Sequence, residues 1–232
     1  MKHLIETTDL SSLPITRYDR LILDSSTNEI NYRGGVTYEY VDLGLPSGTL
    51  WATMNVGAAT ETDYGYYFQW GDIVDKSNAD CSWESYKYRN GSSDTLTKYC
   101  TDSDYGTVDN KTTLEPEDDA ARAHMGSDWR MPTIAEFGEL LDNTTKEWIK
   151  VNGVNGYKFT SSNNGNSIFI PAAGFCFDGS VYDVGYEGNV WSSSLDDSSN
   201  VDACFLNFNS DYISNDGENA RYYGRSVRGV RK

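Results

Sequence analysis

Apolar residues in this chain fall mostly in short alternating runs set off by turn-forming residues, the pattern of strands. Residues 19–23 and 29–32 alternate in this way, with Asp24, Ser25, Ser26, Thr27 and Asn28 supplying turn chemistry between them. Arg33-Gly34-Gly35 then reads as a hinge, so residues 1–37 form a small hairpin segment ahead of a main domain over residues 38–232. A hairpin of this size is not stable alone, so it packs on the main domain or on copies of itself in a homo-oligomer. After Lys158 strand patterns dominate: residues 167–171, 174–177, 190–193, 203–208 and 225–230.

Two segments switch to helical spacing. Residues 115–125 open with Pro116 and a run of acids (Glu115, Glu117, Asp118, Asp119) and stop at Gly126. Residues 133–141 carry Thr133 and Glu136 at capping-box spacing, with Ile134, Phe137, Leu140 and Leu141 on one face. Residues 72–113 are polar, show little periodicity and read as an inserted loop region. Two helices among short strands predict an α+β domain.

The chain has 232 residues, 38% of them hydrophobic, enough for a substantial core. The formal charge of −16 argues against a phosphate-backbone partner, because nucleic-acid binders cluster Lys and Arg. The start Met-Lys-His-Leu-Ile-Glu-Thr-Thr-Asp has no apolar run, which predicts neither a signal peptide nor a membrane span. Only two histidines occur, His3 and His124, which opposes histidine catalysis and a His-based metal site. Cys81, Cys100, Cys176 and Cys204 have no C-x-x-C spacing and read as reduced thiols, with a Cys81–Cys100 bridge left open. Trp51, Trp70 and Trp129 read as core.

Several blocks occur in an order that is more specific than any one of them. They are the run from Tyr40 to Ala52 (Y-V-D-L-G-L-P-S-G-T-L-W-A), Tyr67-Phe68-Gln69-Trp70-Gly71, Trp129-Arg130-Met131-Pro132-Thr133 with Glu136, Trp191-Ser192-Ser193-Ser194, and Gly224-Arg225-Ser226-Val227-Arg228. Together they resemble the Bacteroidetes and Fibrobacter paralogous surface domain, which has a C-type lectin fold of the formylglycine-generating-enzyme type. The resemblance spans roughly residues 38–232 and implies that fold. The enzymes of that type use a cysteine pair and copper; Cys176 and Cys204 do not reproduce the pair, so no catalytic residue, cofactor or metal is expected.

A narrower resemblance lies over residues 191–231, which are similar to the variable region of diversity-generating-retroelement proteins. In those proteins a reverse transcriptase changes template adenines, mostly in Asn codons. The fixed positions match at Trp191, Ser192, Ser193, Ser194, Leu206, Phe208, Ser210, Arg221, Gly224, Val227 and Arg228. Between them lie Asp202, Phe205, Asn207, Asn209, Asp211 and Tyr212, then Ser214, Asn215, Asp216, Gly217, Tyr222 and Tyr223, all residue types reachable from an Asn codon through adenine changes alone. Cys204 and Arg225 depart from the expected aromatic residue and Phe at their positions.

On a strand over residues 203–209, Cys204, Leu206 and Phe208 would face a core while Phe205, Asn207 and Asn209 form a displayed row. Tyr, Ser, Gly and Asn are also the vocabulary of antibody paratopes. The resemblance therefore implies a non-enzymatic protein whose ligand-binding residues are Asp202, Phe205, Asn207, Asn209, Asp211, Tyr212, Ser214, Asn215, Asp216, Tyr222, Tyr223 and Arg225. The implied partner is a cell-surface protein or glycan receptor, in the setting of a phage or prophage tail tip or a cell surface. The alternative is a surface-anchored bacterial domain with a structural or adhesive role and no diversified site.

Overall fold

The computed structural model describes residues 20–24, 29–33 and 38–232. The chain divides into two units, Met1–Thr37 and Tyr38–Lys232. In the first, β1 (Arg20–Asp24) pairs antiparallel with β2 (Glu29–Arg33), Leu21 opposite Tyr32. The expected turn residues 25–28, the Gly34-Gly35 hinge and His3 lie outside the described residues.

The second unit starts with β3 (Tyr40–Asp42) and β4 (Leu50–Asn55), followed by a long irregular stretch. Next come α1 (Ala120–Met125) and α2 (Ile134–Asn143), then β5 (Thr144–Val151), β6 (Val154–Ser161) and β7 (Ser167–Pro171). The chain ends in β8 (Phe175–Phe177), β9 (Ser180–Tyr182), β10 (Glu187–Leu195), β11 (Asp202–Asn209), β12 (Ile213–Ala220) and β13 (Arg228–Arg231). These strands form four small antiparallel sheets: β13-β4-β3, β5-β6-β7, β8-β9 and β10-β11-β12. The α+β, C-type lectin-like expectation fails here. Strands make up 38% of the structure and helices 10%, so this is a mostly-β protein without the helix–strand balance of that fold.

The first helical segment is shorter than its pattern because Asp119 interrupts it. Residues Pro116–Asp118 make a single 3-10 turn, and Asp119 leaves helical geometry to cap α1, accepting from the Arg122 and Met131 amides at 2.9 and 2.8 Å. Gly126 ends α1, and α2 starts on the expected capping box. Strand β12 (I-S-N-D-G-E-N-A) is a strand by pairing rather than propensity, its backbone completing the ladder of β11.

The sheet β10-β11-β12 has core on both faces. Trp191 and Phe205 pack with Phe68, Trp70, Trp129 and Val227 on one side. Val190, Leu206 and Phe208 pack with Trp51, Phe137, Tyr157 and Ile170 on the other. Trp51, Trp70 and Trp129 are buried in these two clusters. Gly188 lets the Phe208 ring lie flat on β10, since a Cβ there would sit 1.9 Å from the ring. Among the described residues no helix is long and apolar enough to cross a membrane.

Candidate functional site

Beside β11, on the face that carries Phe205, the structure opens a cleft of about 180 Å³. Phe205, Asn207, Tyr223 and Arg225, four of the residues named from the variable-region resemblance, line it together with Phe175, Glu187, Asn189 and Asn219. Strand alternation brings the β10 and β11 residues together: Asn189 faces Asn207 across the ladder, and Trp191 faces Phe205. A hydrogen-bond chain runs through the site. Tyr212 Oη donates to Asn207 Oδ1, and Asn207 Nδ2 donates to Glu187 Oε1 at 2.5 Å and Asn189 Oδ1 at 3.1 Å. The same Asn189 oxygen accepts from Arg225 NH1 at 3.1 Å.

The displayed-row expectation needs two corrections. Phe205 points away from Leu206 and Phe208 as alternation requires, yet it is only 6% exposed, because the second face of the sheet is also covered. Arg225 is 2% exposed, with its guanidinium 3.7 Å from the Phe205 ring centroid and 4.6 Å from that of Trp191. Burial pulls this guanidinium down to about 9, with Glu187 and Tyr223 acting in the opposite direction; it remains a cation at neutral pH. Both residues are the floor of the cleft rather than its rim.

The other expected residues spread along the β11–β12 hairpin. Asn209 Oδ1 accepts from the Asp211 and Tyr212 amides at 2.8 and 3.2 Å, an Asx turn that leaves Tyr212 46% exposed. Ser214 bonds Asp216 within β12, and Asn215 Nδ2 reaches the Ile134 carbonyl at 3.4 Å. Asp202 accepts from Ser199 Oγ at 2.6 Å, away from the cleft. Tyr222 and Tyr223 are half-buried and stacked, ring centroids 4.6 Å apart. Tyr223 turns to the cleft and Tyr222 packs on Trp83 at 5.1 Å, which brings the irregular 72–113 stretch against this region.

Sequence reasoning passed over Phe175, Glu187, Asn189 and Asn219. The β8–β9 hairpin that carries Phe175 did announce itself through Asp178-Gly179, a two-residue turn with φ of 47° and 73° at the two positions. Phe175 and Tyr182 stack across that hairpin at 5.8 Å, and Tyr223 packs on Phe175 at 5.7 Å. Glu187 and Asn189 precede the Trp-Ser-Ser-Ser block and are visible only once β10 is paired with β11.

The cysteines pair differently from the bridge left open in the sequence. Cys81 and Cys176 are both fully buried with their sulfurs 2.8 Å apart, while Cys100 Sγ lies against the Asp102 carbonyl. The hydrogen bond between them and burial push the Cys81 thiol up. Cys204, expected on the core face, is half-buried.

Comparison of the chain with protein-family models, with curated proteins and with solved structures finds no match in any of the three.

Proposed function

We propose that residues 38–232 form a non-enzymatic binding domain, with β10, β11, β12 and the segment after β12 as its recognition surface. The observation that carries this reading is the convergence of Asn207, Tyr223 and Arg225 on one cleft, with Glu187 and Asn189 bonded to Asn207, Asn189 bonded to Arg225, and Tyr212 bonded to Asn207 beside it. A sheet packed on both faces holds the cleft rigid, so binding orders few side chains. Tyr and Asn at the mouth supply contact area and adaptable hydrogen bonds at low rotamer-entropy cost. The similarity of residues 191–231 to retroelement-diversified proteins supports a surface that changes while its scaffold stays fixed. The partner is a cell-surface protein or glycan, met from a phage or prophage tail tip or from a bacterial surface.

Two measurements test the reading. Sequencing the DNA for residues 191–232 across many cells of one community should show substitutions at Asn207, Asn209, Asp211 and Tyr212, with Leu206, Phe208 and Val227 constant. Binding of the purified chain to a panel of intact bacteria should fall at least tenfold for Tyr212→Ala, with the melting temperature unchanged. An invariant segment together with full binding by that variant would overturn the proposal.

A further inference from the structure

Three arginines are buried in this unit, and their surroundings divide them. Arg228 has Asn55 Oδ1 and the Ala52 and Phe169 carbonyls at 3.0, 2.8 and 2.9 Å. Arg221 is held by the Lys98, Tyr99 and Asn200 carbonyls, which take both terminal nitrogens although its buried Nε has no partner. Both fasten distant segments together and are structural. Arg225 has a single hydrogen bond, to Asn189 Oδ1, and its buried Nε has no partner. No carboxylate lies within ion-pair distance of it among the described residues. Asn189, 3% exposed, has the same deficiency, because its buried Nδ2 donates to nothing. A buried cation and a buried amide donor left unmatched are both unfavourable, and here both line one open cleft. They call for an acceptor that carries negative charge.

The rest of the cleft narrows the choice. Phe175 and Tyr223 give it aromatic walls, and Glu187, Asn207 and Asn219 add a carboxylate and two amides, the groups that hydrogen-bond hydroxyls. About 180 Å³ accommodates one small ring rather than a chain. A net charge of −16 with Glu187 in the lining disfavours a ligand carrying many charges. A second cleft of the unit, about 210 Å³ near the start of α2, differs: its Arg130 is paired with Glu136 at 2.5 Å and its Asp119 accepts two backbone amides.

We propose that this cleft binds a single terminal acidic sugar, a uronic acid, whose carboxylate meets Arg225 and Asn189. Its ring lies on the Phe175 and Tyr223 walls, and its hydroxyls meet Glu187, Asn207 and Asn219. The assignment rests on the binding reading above and specifies its ligand. An acidic peptide side chain would satisfy the same cation and leave the hydroxyl-binding groups unmatched.

The test is calorimetric titration of the full chain with methyl glucuronoside and methyl galacturonoside, against methyl glucoside, methyl galactoside and N-acetyl-glutamate methylamide. At least one uronoside should bind at least tenfold more tightly than its neutral counterpart and than the glutamate derivative. Arg225→Lys keeps the charge and loses the planar fork, and should weaken that uronoside at least tenfold. Asn219→Ala, at the exposed rim, should weaken it several-fold and guards against a floor variant that does not fold. Equal binding of acidic and neutral sugars, or no uronoside binding at millimolar concentration, overturns the proposal. Preference for the glutamate derivative overturns it in favour of a protein carboxylate. Failure here with Tyr212→Ala still reducing binding to cells sinks only the ligand; intact cell binding by Tyr212→Ala with an invariant gene segment sinks the recognition surface itself.

Discussion

Phe208 and Tyr212 sit four residues apart near the β11–β12 turn, and a single substitution at each should have opposite effects. Phe208 is fully buried against Tyr157 at 5.4 Å and over Gly188, so Phe208→Ala leaves a cavity and should lower stability by about 3–5 kcal/mol in denaturant unfolding. Tyr212→Ala removes an exposed ring and should stay within about 0.5 kcal/mol of the parent. Phe205 belongs with Phe208 in stability despite its place in the cleft: Phe205→Ala should cost about 3 kcal/mol as well as altering binding. The sequence could not separate these cases. Strand alternation gives the side on which Phe205 lies, but only the packing of Trp191, Phe68 and Val227 makes that side a second core.

Among the elements, legibility follows local chemistry. Helix α2 was readable because its cap and apolar face are both written within ten residues. Strands β5 and β6 carry a local signal too, Asn152-Gly153 with φ of 48° and 88° in the turn between them. Strand β12 had none, since Ser, Asn, Asp and Gly become a strand only when β11 offers a ladder. Two carboxylates tie helical segments to the rest of the fold. Burial alone would raise Asp118, but donors from Lys98, Tyr88, Tyr99 and Lys87 outweigh it and bring it to about 2. Glu136 is likewise opposed by burial and brought to about 2 by Arg130, the Thr133 amide and Thr49. Both folded values lie below the unfolded ones near 4, so the unfolded chain binds protons first as the pH falls. Their stabilisation is complete above about pH 5 and is lost down to about pH 2, on the order of 2 kcal/mol each. Urea unfolding as a function of pH should show this loss, and Asp118→Asn should flatten part of it. The Cys81–Cys176 pair fixes the irregular stretch to β8. Oxidised glutathione should join the two sulfurs, each thiol giving up one hydrogen as glutathione is reduced, and the mass of the chain should fall by about two daltons.

For the whole molecule, the unit Tyr38–Lys232 has an extensive buried core of its own and the size of a typical independently folding domain. Residues 38–232 expressed alone should unfold in one cooperative transition within a few degrees of the full chain, measured by calorimetry. Helical patterning was a poor guide at this scale: two recognisable helix patterns suggested a balanced α+β domain, whereas strands in small sheets make up 38% of the structure and helices only 10%. The candidate site was half legible. The polar and aromatic alphabet of residues 202–225 was on the page, but its partners on β8 and β10 come from sequence positions that only the sheet registers bring close.

The contact between Arg225 and Phe205 has a consequence for how such a surface can explore alternatives. Positions that vary independently multiply their options, so a dozen of them would generate an immense repertoire. A guanidinium lying 3.7 Å from a ring breaks that independence. Replace the ring with a small residue and the cation loses its cover; replace the cation and the ring is left beside an unmatched Asn189. On the diversified-surface reading proposed above, the two positions should therefore change in concert, aromatic with arginine or small with uncharged. The number of workable surfaces is smaller than the product of the choices at each position.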